Sequence, residues 1–131
     1  MNCPVCRHQP MIILELNDVE IDYCPECCGI WLDAGELELL LGNNEETDKF
    51  LSSFVIDTIT KEKKIKCPIC SKKMEKVLVG KDNNILIDRC RNNDGLWFDK
   101  GELEEILKQV SWGKDNKVLN LLKEMFDHNK L

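Results

Sequence analysis

Cysteine is the residue type best equipped for chemistry in this chain of 131 residues, which holds eight of them. Cys3-Pro4-Val5-Cys6 and Cys24-Pro25-Glu26-Cys27 are two C-x-x-C pairs with 17 residues between them. Cys67-Pro68-Ile69-Cys70 and Cys90 repeat the plan, with 19 residues between Cys70 and Cys90. A tight turn lets two thiolates share one ion, and proline after the first cysteine stiffens that turn. Met1-Asn2-Cys3-Pro4 shows neither the basic start nor the apolar stretch of a secretory signal, and a soluble, cytoplasmic protein is expected. In a reducing compartment this cysteine density points to metal ligation rather than disulfides. Zinc is the expected ion, because it takes tetrahedral thiolate and imidazole ligands, and four ligands with no open position make a structural site. Rubredoxin-type iron uses a similar pair of turns and is the metallic alternative.

Cys28 is surplus. Either it or Cys27 could complete the first group, and Cys27 is favoured because it makes the second C-x-x-C, leaving Cys28 as a small thiol. The second group lacks a fourth cysteine: Asn93 stands opposite Cys27 and Asp94 opposite Cys28. Asp94 can supply a carboxylate, a ligand that zinc accepts although it is harder than thiolate. The alternative makes Asp94 a turn residue beside a vacant or water-completed site. The expected metal ligands are therefore Cys3, Cys6, Cys24 and Cys27, then Cys67, Cys70, Cys90 and Asp94, holding two zinc ions of which the second is weaker.

These ligands sit in an internal repeat. Aligning Cys24 with Cys90 places Gly29, Trp31, Asp33, Gly35, Glu36, Leu37 and Glu38 opposite Gly95, Trp97, Asp99, Gly101, Glu102, Leu103 and Glu104. Such a run marks a tandem duplication with units of roughly 65 residues, read as 1–60 and 61–131. In the first unit Met11–Leu16 and Val19–Tyr23 flank Asn17-Asp18, and in the second Lys76–Val79 and Ile85–Ile87 flank Gly80–Asn84. Both read as β-hairpins, with a cysteine pair at the entrance and ligands at the exit. Asp33-Ala34-Gly35-Glu36 and Asp99-Lys100-Gly101-Glu102 resemble capping boxes, predicting helices at about 34–41 and 100–110. Three-and-four spacing predicts further helices through Phe50, Leu51, Phe54 and Val55, and through Val118, Leu119, Leu122, Met125 and Phe126. The expected fold is a small α+β protein of two tandem zinc ribbons, β-hairpins with cysteine knuckles, each followed by a short helix and an amphipathic helix. Each ribbon buries little apolar surface, so metal and helices must supplement it.

The pattern C-P-x-C, hairpin, C-P-x-C-x-G-x-W-L-D-x-G-E-L resembles the transcription factor IIB type zinc-ribbon family. It spans Cys3 to Leu41 and, with one cysteine lost, Cys67 to Leu107, about three-fifths of the chain. The resemblance implies zinc ligation by Cys3, Cys6, Cys24 and Cys27 and by Cys67, Cys70 and Cys90. Some second repeats of such proteins carry His where this chain has Asp94, which implies Asp94 as its substitute. A transcriptional role is implied only by analogy.

Trp31 and Trp97 are expected to pack each ribbon onto its helix rather than to contact a ligand. His8 and His128 are unmatched between the units and expected on the surface. The sequence shows no Ser/His/Asp arrangement, phosphate loop or Glu-x-x-His motif, Glu36 and Glu102 read as capping residues, and no enzymatic activity is expected. Charge separates the units. Residues 1–60 hold 2 basic and 12 acidic side chains, net −10, whereas 61–91 hold 10 and 4, net +6, inside a chain of net −6. Three functions compete. The first is a protein-binding or transcription-associated adaptor. The second is nucleic-acid binding through Lys61, Lys63, Lys64, Lys66, Lys72 and Lys73, a set without interleaved aromatics. The third is redox or metal handling through Cys28 or iron. No apolar stretch approaches the roughly 18 residues of a membrane span, so no membrane partner is expected.

Overall fold

The strictly alternating Val19-Glu20-Ile21-Asp22-Tyr23 builds a strand with one buried face, and the continuous apolar runs Ile30-Trp31-Leu32 and Leu96-Trp97-Phe98 build the central strands. The computed structural model describes residues 1–16, 18–42, 44–109, 120, 121 and 124. Its strands are β1 (Ile12–Leu16), β2 (Val19–Tyr23), β3 (Ile30–Asp33), β4 (Val55–Ile56), β5 (Glu75–Val79), β6 (Ile85–Arg89) and β7 (Gly95–Phe98). The helices are α1 (Glu36–Leu41), α2 (Glu45–Ser52) and α3 (Glu102–Gln109). All seven strands form one antiparallel sheet in the order β1-β2-β3-β7-β6-β5-β4. The protein is thus a small α+β structure. Both expected hairpins are present: Leu16 pairs with Val19 in one, Val79 with Ile85 in the other.

The third strand of each unit, β3 and β7, comes from the repeated Gly-x-Trp segment, whose continuous apolar residues show neither helical nor strand periodicity. These strands join the two halves of the chain. Ile30 pairs with Phe98, Trp31 with Trp97 and Leu32 with Leu96. Trp31 and Trp97 are the same residue of the two repeats, so the register places duplicated positions opposite each other about a local two-fold axis.

The centre of the sheet is buried on both faces. Ile21, Ile30, Leu32, Val77, Ile87 and Phe98 meet α1 and α3 on one side, through Leu37, Leu40, Leu41, Leu103, Ile106 and Leu107. The second face gathers Cys3, Met11, Cys24, Trp31, Cys67, Met74, Cys90 and Trp97. One layer is therefore aliphatic and helix-covered, and the other is built from sulfur and indole.

Helices α1 and α3 fall within the predicted ranges, but their starts differ from a full capping box. Glu36 Oε1 accepts the Asp33 N–H at 2.6 Å and Glu102 Oε1 accepts the Asp99 N–H at 2.8 Å, so the reach-back half is formed. The Asp carboxylates do not cap the helices. Asp33 Oδ1 takes the Trp31 indole N–H at 2.8 Å, and Asp99 Oδ1 takes that of Trp97 at 3.0 Å. Gly35 and Gly101 make the turn between, with φ of +89° and +86°, a left-handed conformation that glycine adopts without strain. Helix α2 is capped by Asn44, whose side chain accepts the Thr47 N–H at 2.8 Å.

The predicted helix through Phe50, Leu51, Phe54 and Val55 ends at Ser52. Val55 and Ile56 instead form β4, which pairs with Leu78 and Val77 at the edge of β5. An open sheet edge offers unpaired N–H and C=O groups, and here that demand outweighs helical spacing. Val118, Leu119, Leu122, Met125, Phe126 and His128 lie outside the described residues. No helix among the described residues is long and apolar enough to cross a membrane.

Candidate metal centres

Two groups of donor atoms converge, each within 4.8 Å: Cys3, Cys6, Cys24 and Cys27, and Cys67, Cys70, Cys90 and Asp94. A tetrahedron with zinc–sulfur bonds of about 2.3 Å has edges of about 3.8 Å. Cys3 and Cys27 sulfurs are 3.6 Å apart, Cys6 and Cys24 3.9 Å, and Cys70 and Cys90 3.6 Å. With a zinc–oxygen bond near 2.0 Å, a sulfur–oxygen edge is about 3.5 Å. Asp94 Oδ2 stands 3.4 Å from the Cys90 sulfur and 3.7 Å from that of Cys67. Both donor sets fit zinc.

Hairpin geometry positions them. Each entrance knuckle turns its backbone N–H groups onto its first sulfur, with Val5 and Cys6 donating to Cys3 Sγ at 3.4 and 3.3 Å, and Ile69 to Cys67 Sγ at 3.4 Å. Arg7 and Ser71, one residue past each entrance pair, share a φ of +64°. The exit knuckles differ. In the first, the left-handed residue is Cys28, directly after Cys27, and the turn closes Cys28 N–H onto Cys24 C=O. In the second, the left-handed residue is Asn93, and the turn closes Asn93 N–H onto Cys90 C=O, one residue tighter. That shift turns the following residue, Asp94, toward the sulfurs and leaves Asn93 out of the group. Cys28 Sγ stands apart from the first group and accepts the Tyr23 hydroxyl at 3.3 Å.

The electrostatics of the donors favour a cation. Burial pushes the Cys6 and Cys67 thiols up to about 12, opposed by the Cys27 sulfur at Cys6 and by the Cys70 and Ile69 N–H groups at Cys67, with the remaining sulfurs adding to both shifts. Burial also opposes ionising Cys24, but N–H groups of Cys27 and Glu26 on its sulfur outweigh it and hold its pKa below the ordinary thiol value. The Lys72 N–H does the same for Cys70. Crowded thiols cannot all ionise unaided, and a divalent ion removes that barrier.

Trp31 and Trp97 are core residues, but their packing partners are not the helices. A Cβ on Gly95 would lie 2.6 Å from Trp31 Cζ2, and one on Gly29 2.2 Å from Trp97 Cζ2. Each indole therefore occupies the space over the glycine of the other repeat. The repeated motif is a reciprocal lock: glycine admits the opposite indole, tryptophan fills the gap, and Asp33 or Asp99 ties its N–H.

Burial raises the pKa of Glu102 to about 8, against the opposing Asp99 N–H and reinforced by the Asp99, Asp88 and Glu62 carboxylates. A carboxyl harder to ionise in the folded state costs stability once pH exceeds its unfolded value of about 4.3, and the cost grows until pH passes the folded value. Glu102→Gln keeps the acceptor for Asp99 N–H and removes the titration. The variant should gain on the wild type as pH rises from 6 to 8, by about 1 kcal/mol after discounting for partial exposure. Melting curves of the zinc-loaded proteins check this, and a gap that stays flat with pH would contradict it.

The basic segment is not uniform. Lys76 is 4% exposed, with Nζ 2.7 Å from Asp88 Oδ1 and 3.7 Å from Glu62 Oε1. Arg89 pairs with Glu75 at 2.8 Å. Lys61, Lys63, Lys64, Lys66, Lys72 and Lys73 are exposed. Four of them, Lys63, Lys64, Lys66 and Lys73, line a cleft of about 830 Å³ between the two entrance knuckles, together with Arg7 from the acidic first unit. Arg7, one of two basic residues in the acidic first unit, gives no sign of this placement in the sequence. His8 is exposed, as expected.

No curated protein and no solved structure matches the chain significantly. A family model described as transcription factor zinc-finger, of the TFIIB zinc-ribbon type, matches residues 2–42 and 66–109. The matched segments contain every member of the two donor groups, and they cover more than half of the chain in two copies. With donor sets that fit two zinc ions, this chain belongs to the transcription factor IIB type zinc-ribbon family as a tandem pair.

Proposed function

We propose that the protein is a non-enzymatic, zinc-stabilised adaptor that presents a rigid double ribbon to a protein partner, in association with transcription. The architecture behind this reading is two tandem zinc ribbons, each followed by a short helix and an amphipathic helix. The order of the elements supports it, since α1 and α2 follow the first hairpin in the chain and α3 follows the second. The observation that carries it is the completeness of the donor sets. Cys3, Cys6, Cys24 and Cys27 would hold one ion, and Cys67, Cys70, Cys90 and Asp94 the other, leaving no coordination position for a substrate or reactive water. Bound there, zinc supplies cross-links rather than Lewis-acid chemistry. The protein's own residues orient the ligands through knuckle N–H groups and lock the two ribbons through Trp31 and Trp97.

Cobalt substitution tests the closed state. The visible spectrum of the cobalt-loaded protein should be thiolate-rich and tetrahedral, and unchanged by added azide or cyanide. A spectrum that shifts with these anions reveals an open position and favours a catalytic or metal-handling role. The adaptor role is tested by capture from the protein's own cell with zinc-loaded and zinc-stripped bait. The loaded bait alone should retain a reproducible partner set, and equal retention by both would contradict the reading.

A further inference from the structure

The cleft between the entrance knuckles is unusual in its charge. Arg7, Lys63, Lys64, Lys66 and Lys73 line it, and among the described residues no carboxylate does. None of these five cations makes an ion pair among the described residues, in contrast to Lys76, Arg89 and Lys108. The remaining wall is apolar: Met1 and Val5 are 48% and 45% exposed, and Pro4, Ile65 and Pro68 adjoin them. Both buried first cysteines, Cys3 and Cys67, form part of the wall, so the two metal centres would fix the spacing of its sides. Five cations converging without counter-charge repel one another, and a ligand bearing carboxylates relieves that repulsion.

We propose that this cleft is the docking site for an acidic, apolar-containing segment of a partner protein, whose carboxylates pair with Arg7, Lys63, Lys64, Lys66 and Lys73. The proposal rests on the adaptor reading and names the chemistry of its partner. A cleft of about 830 Å³ matches the size of sites that enclose a few side chains. Two observations favour protein over single-stranded nucleic acid. Among the described residues the lining holds no Phe, Tyr or Trp on which a base could stack, and Trp31 and Trp97 are fully buried. Exposed Val5 and Met1 beside the cations suit apolar side chains alternating with carboxylates. Lys61 and Lys72 belong to the same basic segment but do not line the cleft, so position rather than net charge sets affinity.

Fluorescence anisotropy with the zinc-loaded full chain tests this, using a labelled peptide that alternates glutamate with leucine, and a labelled oligothymidylate as comparator. The peptide should bind more tightly than the oligonucleotide, and its affinity should fall steeply from about 0.1 M to 1 M salt as screening shortens. Lys63→Glu with Lys64→Glu should weaken it about tenfold, and Arg7→Glu about fivefold, whereas Lys72→Glu changes it less than about twofold. The lysine pair lies outside the knuckles, so its effect stands even where Arg7→Glu disturbs zinc. Tighter oligonucleotide binding with the same Arg7 and lysine dependence would overturn the peptide assignment. Equal losses from Lys72→Glu and the cleft variants, or no peptide binding, would overturn the site. Self-association at low salt that the cleft variants abolish would make a second copy's acidic unit the occupant, also against the proposal. Zinc content is measured on every sample: loss of zinc in the wild type would mark failure of the adaptor reading itself, separately from the cleft.

Discussion

Gly95→Ala is expected to destabilise the protein by about 3 kcal/mol while the donor groups remain intact. The new Cβ would lie 2.2 Å from the Leu32 carbonyl oxygen and 2.6 Å from Trp31 Cζ2. The first is backbone of the paired strand β3, and the second belongs to an indole with no exposed surface, so neither can step aside. Relief requires separating β3 from β7, which is the seam between the two repeats. Gly29→Ala meets Trp97 at 2.2 Å from the symmetric side, and should cost somewhat less because it strikes side chain only. Gly35→Ala is the internal comparison. Nothing lies within 4 Å of its Cβ, and its cost is the left-handed backbone alone, about 1 kcal/mol. Denaturant melts of the three zinc-loaded variants check the order. A Gly95→Ala loss no larger than that of Gly35→Ala would contradict the reciprocal packing.

Removing the metal should have the largest effect. Structural zinc contributes about 10–16 kcal/mol in small zinc-folded domains, comparable with or larger than the whole stability of a chain this size. A strong chelator is expected to abolish the cooperative melt. The centres should empty in order, because three thiolates and a hard carboxylate hold zinc less firmly than four thiolates. Mild chelator or acid should strip the Cys67, Cys70, Cys90 and Asp94 centre first. Asp94→Ala should reduce zinc content towards one per chain, and Asn93→Ala should leave it unchanged, since the left-handed turn at Asn93 directs the next residue, not Asn93, to the sulfurs. Equal zinc in the two variants would remove Asp94 from the centre.

The donor groups were legible in the sequence because ligand spacing and hairpin alternation are local properties. Cys3 to Cys27 and Cys67 to Asp94 each flank a single hairpin, and the alternation Val19-Glu20-Ile21-Asp22-Tyr23 declares which face is buried. Strands β3 and β7 escaped because Ile30-Trp31-Leu32 and Leu96-Trp97-Phe98 are continuous apolar runs. A strand buried on both faces has no period to read. The way the repeats meet was also hidden, because duplication reveals two copies but not the surface that joins them. Val55 departs from its helical spacing for a related reason: the spacing continues past Ser52, and only the exposed edge of β5 explains its capture as a strand. Lys76 reads as one more surface lysine until the cross-strand pairing with Asp88 buries both. The Asp33 and Asp99 positions show how a correct signal can carry another role, since Glu36 and Glu102 reach back as expected while the aspartates serve the indoles.

Two closed zinc centres are expected to hold one continuous sheet, and metal content is the most direct test of this. Native mass spectrometry with elemental analysis of untagged protein should find two zinc ions and no iron in each chain. A chain that folds with the same stability in the absence of metal, or one that carries iron with visible absorption, would contradict it.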